Sequence, residues 1–298
     1  MTPGIDFKLL RIFTAVVRHQ GFARAQQELN LTTSAISTYM AQLESEVGFT
    51  LCRRGRGGFA LTEKGELLLS ETLRVLGEVD EFERYTRSLK GELGGTLTIG
   101  VLDSTVTDNS RPLAEAIGIF SSRYPAIHLN LLIRSPYELQ KGLLDNALDI
   151  AVGFFPAKAN GLVYHPLYRE QQWLYCGDRH PCFDQKNLRA TDVSELNVVS
   201  RSYWSQTDLS RHGFKRSVAT VESMEAQLIL ILSGGYIGYL PEHYAQSWVE
   251  QGRLKVLRPS EFGYQSQFSL VLRRGRSREL ALQAMRELLQ PGKRGSKR

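Results

Sequence analysis

The apolar spacing of this 298-residue chain changes period once, and that change divides it. Before about residue 90 the apolar side chains recur at the spacing of helices. Beyond Gly91-Glu-Leu-Gly-Gly95 short apolar runs alternate with amphipathic stretches, the βαβ rhythm of a parallel sheet flanked by helices. A glycine-rich break between two such regions reads as a hinge between domains. Length agrees, since ~150 residues per domain gives about two domains.

The first part predicts short helices and a small hairpin. Leu9, Leu10, Phe13, Val16 and Val17 share a helical face over Asp6 to His19, and Gly21 ends that helix. A second helix is expected from about Phe22 to Leu29, then a tight connection at Asn30-Leu31-Thr32. A third, about Thr33 to Val47, carries Ile36, Met40, Leu43 and Val47 as one apolar stripe and stops at Gly48. Leu51-Cys-Arg-Arg54 and Phe59-Ala-Leu61 flank the turn Gly55-Arg-Gly-Gly58, a hairpin with a basic tip.

Three helices and a basic hairpin suit a winged helix-turn-helix, with the third helix in the major groove and the wing on phosphate. Thr33, Ser34, Ser37, Thr38 and Gln42 form a short polar face that can reach phosphates and base edges, and Gln42 can pair with adenine. Arg53, Arg54 and Arg56 can neutralise phosphates. The alternative at this stage is an ordinary solvated helix face. Net charge does not decide: of +6, the last eight residues supply four through Lys293, Arg294, Lys297 and Arg298, leaving +2 for everything else.

Thr62 is a plausible N-cap for a long helix reaching about Lys90. Leu68, Val75, Phe82 and Leu89 recur every seven residues on it, with Thr72, Val79 and Thr86 between them and an acidic flank of Glu78, Asp80, Glu81 and Glu83. Such a stripe is buried by pairing with a second copy, through Leu68, Val75, Val79, Phe82 and Leu89, or against the chain's own globule.

Several classes are disfavoured. Cys52, Cys176 and Cys182 are too few and scattered for a disulfide framework, and a reducing cytoplasm fits best. No apolar run approaches the ~18 residues needed to span a bilayer, and the first six residues lack a signal-peptide pattern. The six histidines show no metalloprotease spacing, and GxSxG, Walker and dinucleotide fingerprints are absent from the sequence, so no enzyme, metal or cofactor is expected. Cys176 and Cys182 flank His180 in sequence, which a soft-metal or redox site would use. Ordinary strand and loop residues explain them better.

The order of residues across these elements resembles the LysR-type transcriptional regulators. The stretch Gly21-Phe-Ala through Gln42-Leu-Glu44, then Leu51-Cys-Arg53 and Leu61-Thr-Glu-Lys-Gly65, carries the resemblance in the first part. Leu97-Thr-Ile-Gly100, Tyr124-Pro125, Leu148-Asp-Ile-Ala-Val-Gly153 and Gly234-Gly-Tyr-Ile-Gly-Tyr-Leu-Pro241 extend it through the rest. Thr33, Ser34 and Thr38 depart from the glutamine, proline and arginine common there, so more of the phosphate contact falls on the wing.

The resemblance implies an α+β multidomain chain. A winged helix-turn-helix over 1–63 and a linker and dimerisation helix over 64–91 precede a two-lobed α/β, periplasmic-binding-protein-like effector domain over 92–298. Lobe I covers about 96–163 and 267–290, lobe II about 164–266, and a basic tail 291–298. It implies a bacterial, cytoplasmic homodimer or homotetramer on double-stranded operator DNA, with RNA polymerase as a partner if it activates, and no membrane. A small organic effector, aromatic or another organic acid, would bind between the lobes. Carried over by position, its contacts are Asp103, Ser104, Thr105, Ser135, Pro136, Phe154, Arg201, Tyr203, Trp204, Glu222 and Ser223, with Phe155 beside Phe154 and hinge packing as the competing reading of both phenylalanines. Helix N-termini favour an anion there. Arg201 would hold a carboxylate or else make an ion pair, and Asp103 and Glu222 argue for a cationic or neutral ligand. A solute-binding receptor is the rival reading of the second part, which the helix-turn-helix disfavours.

Overall fold

The computed structural model describes residues 4–55, 58–89, 94–107, 113–276 and 279–290. The chain divides into two compact units, residues 1–92 with 144–147, and residues 93–143 with 148–298.

In the first unit α1 (Phe7–Arg18) is capped by the Asp6 carboxylate, which accepts from the Lys8 N–H. Its apolar face, Leu9 to Val16, packs with Phe22, Ala25, Ile36, Met40, Leu43 and Leu51 in one core. α2 is shorter than the sequence predicts: only Gln26–Leu29 is regular helix and residues 22–25 are turns. No side chain caps it, and burial of Phe22 and Ala25 sets its start instead. Asn30 then takes the left-handed conformation (φ 50°) that the tight turn requires. α3 (Thr33–Val47) begins at the Thr32 hydroxyl, which accepts from the Ala35 N–H, and ends at Gly48 (φ 81°). β1 (Cys52–Gly55) and β2 (Gly58–Leu61) form the antiparallel wing.

α4 (Glu63–Leu89) starts at Thr62, whose hydroxyl accepts from the Gly65 N–H. Its first half folds back on its own unit: Thr72 and Leu76 are buried, and Leu68 and Leu69 pack against the same core. Leu68 thereby covers part of its side chain on the core of its own unit. Phe82 remains 66% exposed, Val75 and Val79 are half-buried, and the Leu89 side chain lies outside the described residues.

In the second unit β3 (Gly95–Val101) pairs in parallel with β4 (Ile127–Ile133) and β5 (Ile150–Phe154). α5 (Leu113–Arg123) turns Leu113, Ile117 and Phe120 into the core beneath that sheet, and α6 (Pro136–Leu144) connects β4 to β5. β6 (Leu162–Gly177) is a single strand of 16 residues where apolar alternation predicts two, Val163–Leu167 and Gln172–Cys176. The interval Tyr168-Arg-Glu-Gln171 breaks the alternation because Glu170 faces a polar cleft rather than a core. Hydrogen bonding to β11 (Tyr264–Arg273) carries the strand through it, with a register shift at Phe268/Ser269.

β6 and β11 therefore cross from one lobe to the other and join the described strands of the second unit in one ladder, where their number predicts more than one sheet. Its order among the described residues is β4-β3-β5-β11-β6-β9-β7-β8, with β10 (Leu254–Val256) on β6. In the second lobe α7 (Ala190–Ser194), β7 (Val198–Arg201), α8 (Gln206–Arg211) and β8 (Ala219–Val221) lead to α9 (Met224–Leu232). β9 (Ile237–Pro241), α10 (Glu242–Glu250) and α11 (Pro259–Phe262) follow, and α12 (Leu280–Leu289) packs back on the first lobe. No helix among the described residues is long and apolar enough to cross a membrane.

Candidate DNA-binding face and effector cleft

Two places gather functional side chains. On α3 the stripe of Ile36, Met40 and Leu43 is buried, so the opposite face must look outward: Thr33, Ser34, Thr38 and Gln42 are exposed and Ser37 is half-buried. Three of these groups are already oriented. The Thr32 and Ser34 hydroxyls meet at 3.0 Å, and the Thr38 hydroxyl donates to the Ser34 carbonyl at 3.0 Å. The Gln42 amide donates one N–H to Glu46 Oε1 at 2.9 Å, which leaves its second N–H and its carbonyl oxygen for a base edge such as that of adenine. Lys8, which sequence spacing did not single out, lies over the Tyr39 ring at 4.4 Å and donates to its hydroxyl at 2.9 Å. The Arg53 side chain is exposed on the wing, while the Arg54 side chain and Arg56 lie outside the described residues.

The wing is fixed to α3 by one carboxylate. Glu44 Oε1 accepts from the Leu51 N–H at 2.7 Å and the Cys52 N–H at 3.4 Å.

The second place lies between the lobes of the sensor. Its walls are Leu102 and Asp103 after β3, Phe154 at the end of β5, Glu170 and Gln172 on β6, Arg201 at the end of β7, and Tyr203 and Trp204 after it. Met224 and Gln227 on α9, Tyr239 on β9, and Tyr264, Ser266 and Phe268 on β11 complete them. Of the positions expected from sequence, Asp103, Phe154, Arg201, Tyr203 and Trp204 line this cavity. Ser104, Thr105, Ser135, Pro136, Glu222 and Ser223 are not among its walls: Ser135 caps α6 through Glu138, Ser223 caps α9, and Glu222 is exposed. Phe155 packs edge-on against Tyr164, 5.6 Å between centroids. The crossing strands supply the walls that sequence reading missed, and the broken alternation at Glu170 to Gln172 was the signal for them.

The electrostatics are paired across the cleft. Arg201, 4% exposed, donates from Nη2 to Asp103 Oδ1 at 2.8 Å, and the second Asp103 oxygen accepts from the Met224 N–H at the start of α9. Burial opposes the charge on Arg201, but the neighbouring Tyr203 and the Asp103 carboxylate outweigh it and hold the guanidinium protonated. Glu170 accepts from Gln172 Nε2 at 2.6 Å and meets His243 Nε2 at 2.9 Å, whose Nδ1 lies 2.7 Å from the Thr107 hydroxyl. Burial raises the phenols of Tyr203, Tyr239 and Tyr264, so all three stay neutral donors. Arg201 Nε, Gln227 Oε1 and the Tyr239 hydroxyl are buried without a hydrogen-bond partner. The free space between the walls is about 20 Å³, enough for about one water.

Cys176 and Cys182 are buried thiols. Burial, and then the neighbouring Cys182, push the Cys176 thiol up to about 12, and His180 Nδ1 accepts from the Cys182 N–H at 3.1 Å. Among the described residues no group of three or more His, Cys, Asp or Glu side chains is placed to hold a metal ion.

Both regions of the chain match known protein families. Residues 7–66 match the bacterial regulatory helix-turn-helix protein model of the lysR family, and residues 90–293 match the LysR substrate binding domain. The transcriptional activator BauR of Pseudomonas aeruginosa is 34% identical over 285 residues, covering 95% of this chain and 93% of that one. The regulator CfxR of Cupriavidus necator is 34% identical over 261 residues, 85% and 81% of the two chains. The fold is that of a full-length OxyR variant from Pseudomonas aeruginosa (TM-score 0.68, 18% identity, 96% and 95% covered). It is also that of CbnR in complex with its target DNA (TM-score 0.65, 18% identity, 96% and 99% covered). The chain belongs to the LysR family of DNA-binding transcriptional regulators, with a helix-turn-helix domain followed by an effector-binding domain.

Proposed function

We propose that this regulator is a cytoplasmic, non-enzymatic homo-oligomer that reads an inverted-repeat operator and changes its grip on DNA when a small organic acid enters the interlobe cleft. The carrying observation is the set of buried polar atoms without partners, Arg201 Nε, Gln227 Oε1 and Tyr239 hydroxyl, on one aromatic-walled cavity. A buried donor or acceptor left unmade costs about 1–3 kcal/mol, so three on one cavity mark a place meant to be filled. Phe154, Tyr203, Trp204, Tyr239 and Tyr264 give the cavity aromatic walls. About 20 Å³ holds no ring, so an effector enters only as the lobes part, and it acts by favouring the parted arrangement.

The test is a screen of organic acids on the full-length protein by thermal unfolding, followed by footprinting on operator DNA. A true effector raises the unfolding midpoint and alters the footprint. Arg201→Ala weakens an acidic effector by about 1.5–3 kcal/mol. An effector that binds the Arg201→Ala protein as tightly as wild type removes Arg201 from the site.

A further inference from the structure

Resting on the reading that the cleft receives an effector, we propose that Asp103 is a resident stand-in for the ligand: it occupies a carboxylate seat that an incoming organic acid takes over. The seat has two parts on one lobe, the Arg201 guanidinium at the end of β7 and the Met224 N–H in the first turn of α9, a helix of nine residues capped by Ser223. Asp103 comes from the other lobe, on the turn after β3, and each of its oxygens serves one part of the seat. This is the two-pronged contact that a free carboxylate makes with a guanidinium and a helix N-terminus.

Three features separate such a seat from an ordinary interlobe ion pair. First, occupancy is asymmetric: Arg201 is almost wholly buried, whereas the Asp103 side chain is 17% exposed and lies at the rim. Asp103 can turn into water; Arg201 cannot. Second, the seat is not saturated by its present occupant. Arg201 Nε is buried without a hydrogen-bond partner, and Nη1 meets the Met224 sulfur at 3.6 Å, a weak acceptor, with the Tyr203 ring centroid 5.4 Å from the guanidinium carbon. Third, the exchange is neutral in charge. A ligand carboxylate that replaces Asp103 leaves the same buried cation opposite the same single negative charge, and the displaced Asp103 regains water. Addition of an acid without displacement would instead bury a further negative charge beside Glu170, which is costly.

The exchange also explains how binding is transmitted. Asp103 ties the two lobes, and a ligand that takes the seat removes that tie as it makes its own, so its affinity differs between the tied and untied arrangements, as a switch requires.

Acetate is the probe, because it is the carboxylate of Asp103 without its chain. Thermal unfolding of full-length wild type, Asp103→Ala, Asp103→Asn and the double variant Asp103→Ala/Arg201→Gln is followed in sodium acetate and in sodium chloride of equal ionic strength. Acetate at tenfold its dissociation constant raises the Asp103→Ala midpoint by about 3 °C or more over chloride. The wild-type midpoint moves by less than about 1 °C at the same concentration, since its own carboxylate competes. Asp103→Asn keeps the side-chain shape and carries the same expectation should the alanine variant not fold. The double variant does not respond. Equal acetate responses in wild type and both Asp103 variants, or a response that survives loss of Arg201, overturn the proposal. An acetate-responsive Asp103→Ala protein with no effector found in the wider screen leaves the seat standing and removes the effector reading. An effector found without any acetate response keeps the cleft and removes the exchange.

Discussion

Gly65 shows how a single residue type can be dictated by an approach between backbones. A Cβ placed there would lie 2.1 Å from the Leu51 carbonyl oxygen, which also accepts the Thr62 N–H at 3.0 Å. Gly65→Ala must push the wing strand from the start of α4, and a loss of about 1–3 kcal/mol in urea unfolding is expected. His212 is a second residue with a measurable consequence. It stacks on Trp204 at 5.0 Å between centroids and on Tyr264 at 4.2 Å, and burial lowers its pKa from the usual 6.5. The neutral ring is the native form, so below that pH unfolded molecules bind protons that native ones refuse. Stability is therefore level above the ordinary imidazole range and falls as pH drops through it, until the lowered native pKa is reached. His180, lowered by burial, adds the same sign. Between about pH 7 and 5 the unfolding midpoint of His212→Phe should fall less steeply than that of wild type. An identical slope would mean that the imidazole titrates freely in the fold.

Among the elements, α4 has a first half packed on its own unit and a second half that leaves Phe82 exposed. Leu76, 7% exposed, belongs to the core of the DNA-binding unit, so Leu76→Ala should cost about 2–5 kcal/mol of folding stability. Phe82 is 66% exposed and contributes nothing to that core. Phe82→Lys should leave the unfolding midpoint of the isolated subunit unchanged and shift sedimentation toward monomer, with operator affinity falling alongside. If Phe82→Lys remains fully associated, the seam lies elsewhere. The crossing strands have a double role: β6 and β11 hold the lobes in one ladder and also present Glu170, Gln172, Tyr264 and Ser266 to the cleft. Those polar inward positions are why the strand pattern fades where the function begins.

At the scale of the whole molecule, the regulator needs charge on the DNA side and balance on the sensor side. α3 carries hydroxyls and amides but no lysine or arginine, and Arg53 is exposed on the wing. Arg53→Ala should weaken binding to all sequences alike and reduce the slope of log affinity against log salt by about 0.9. Substituting Gln42 should instead change base preference with the slope intact. An unaltered slope for Arg53→Ala would take the wing off the phosphates. In the sensor Arg201 is paired with Asp103 and Glu170 is hydrogen-bonded to His243, so an effector has to compete with an internal partner.

The sequence by itself determined whatever follows from neighbours along the chain. The 3.6-residue stripe placed α3 at Thr33–Val47, and the stop at Gly48 follows from the left-handed backbone there. The period change at the glycine break separated the reading unit from the sensor, and the family resemblance named five of the cavity's walls. Only the tertiary structure decided what depends on partners far apart in the chain. Asp103 and Arg201 are 98 residues apart, and no local pattern says that they meet. Leu68 satisfies the heptad as well as Phe82 does, yet one is packed on its own core and the other is exposed, because burial depends on which surface lies opposite. The run Tyr168-Arg-Glu-Gln-Gln172 looks like a loop by composition and is the middle of the longest strand, since cross-strand hydrogen bonds to β11 hold its backbone and the cleft solvates its side chains.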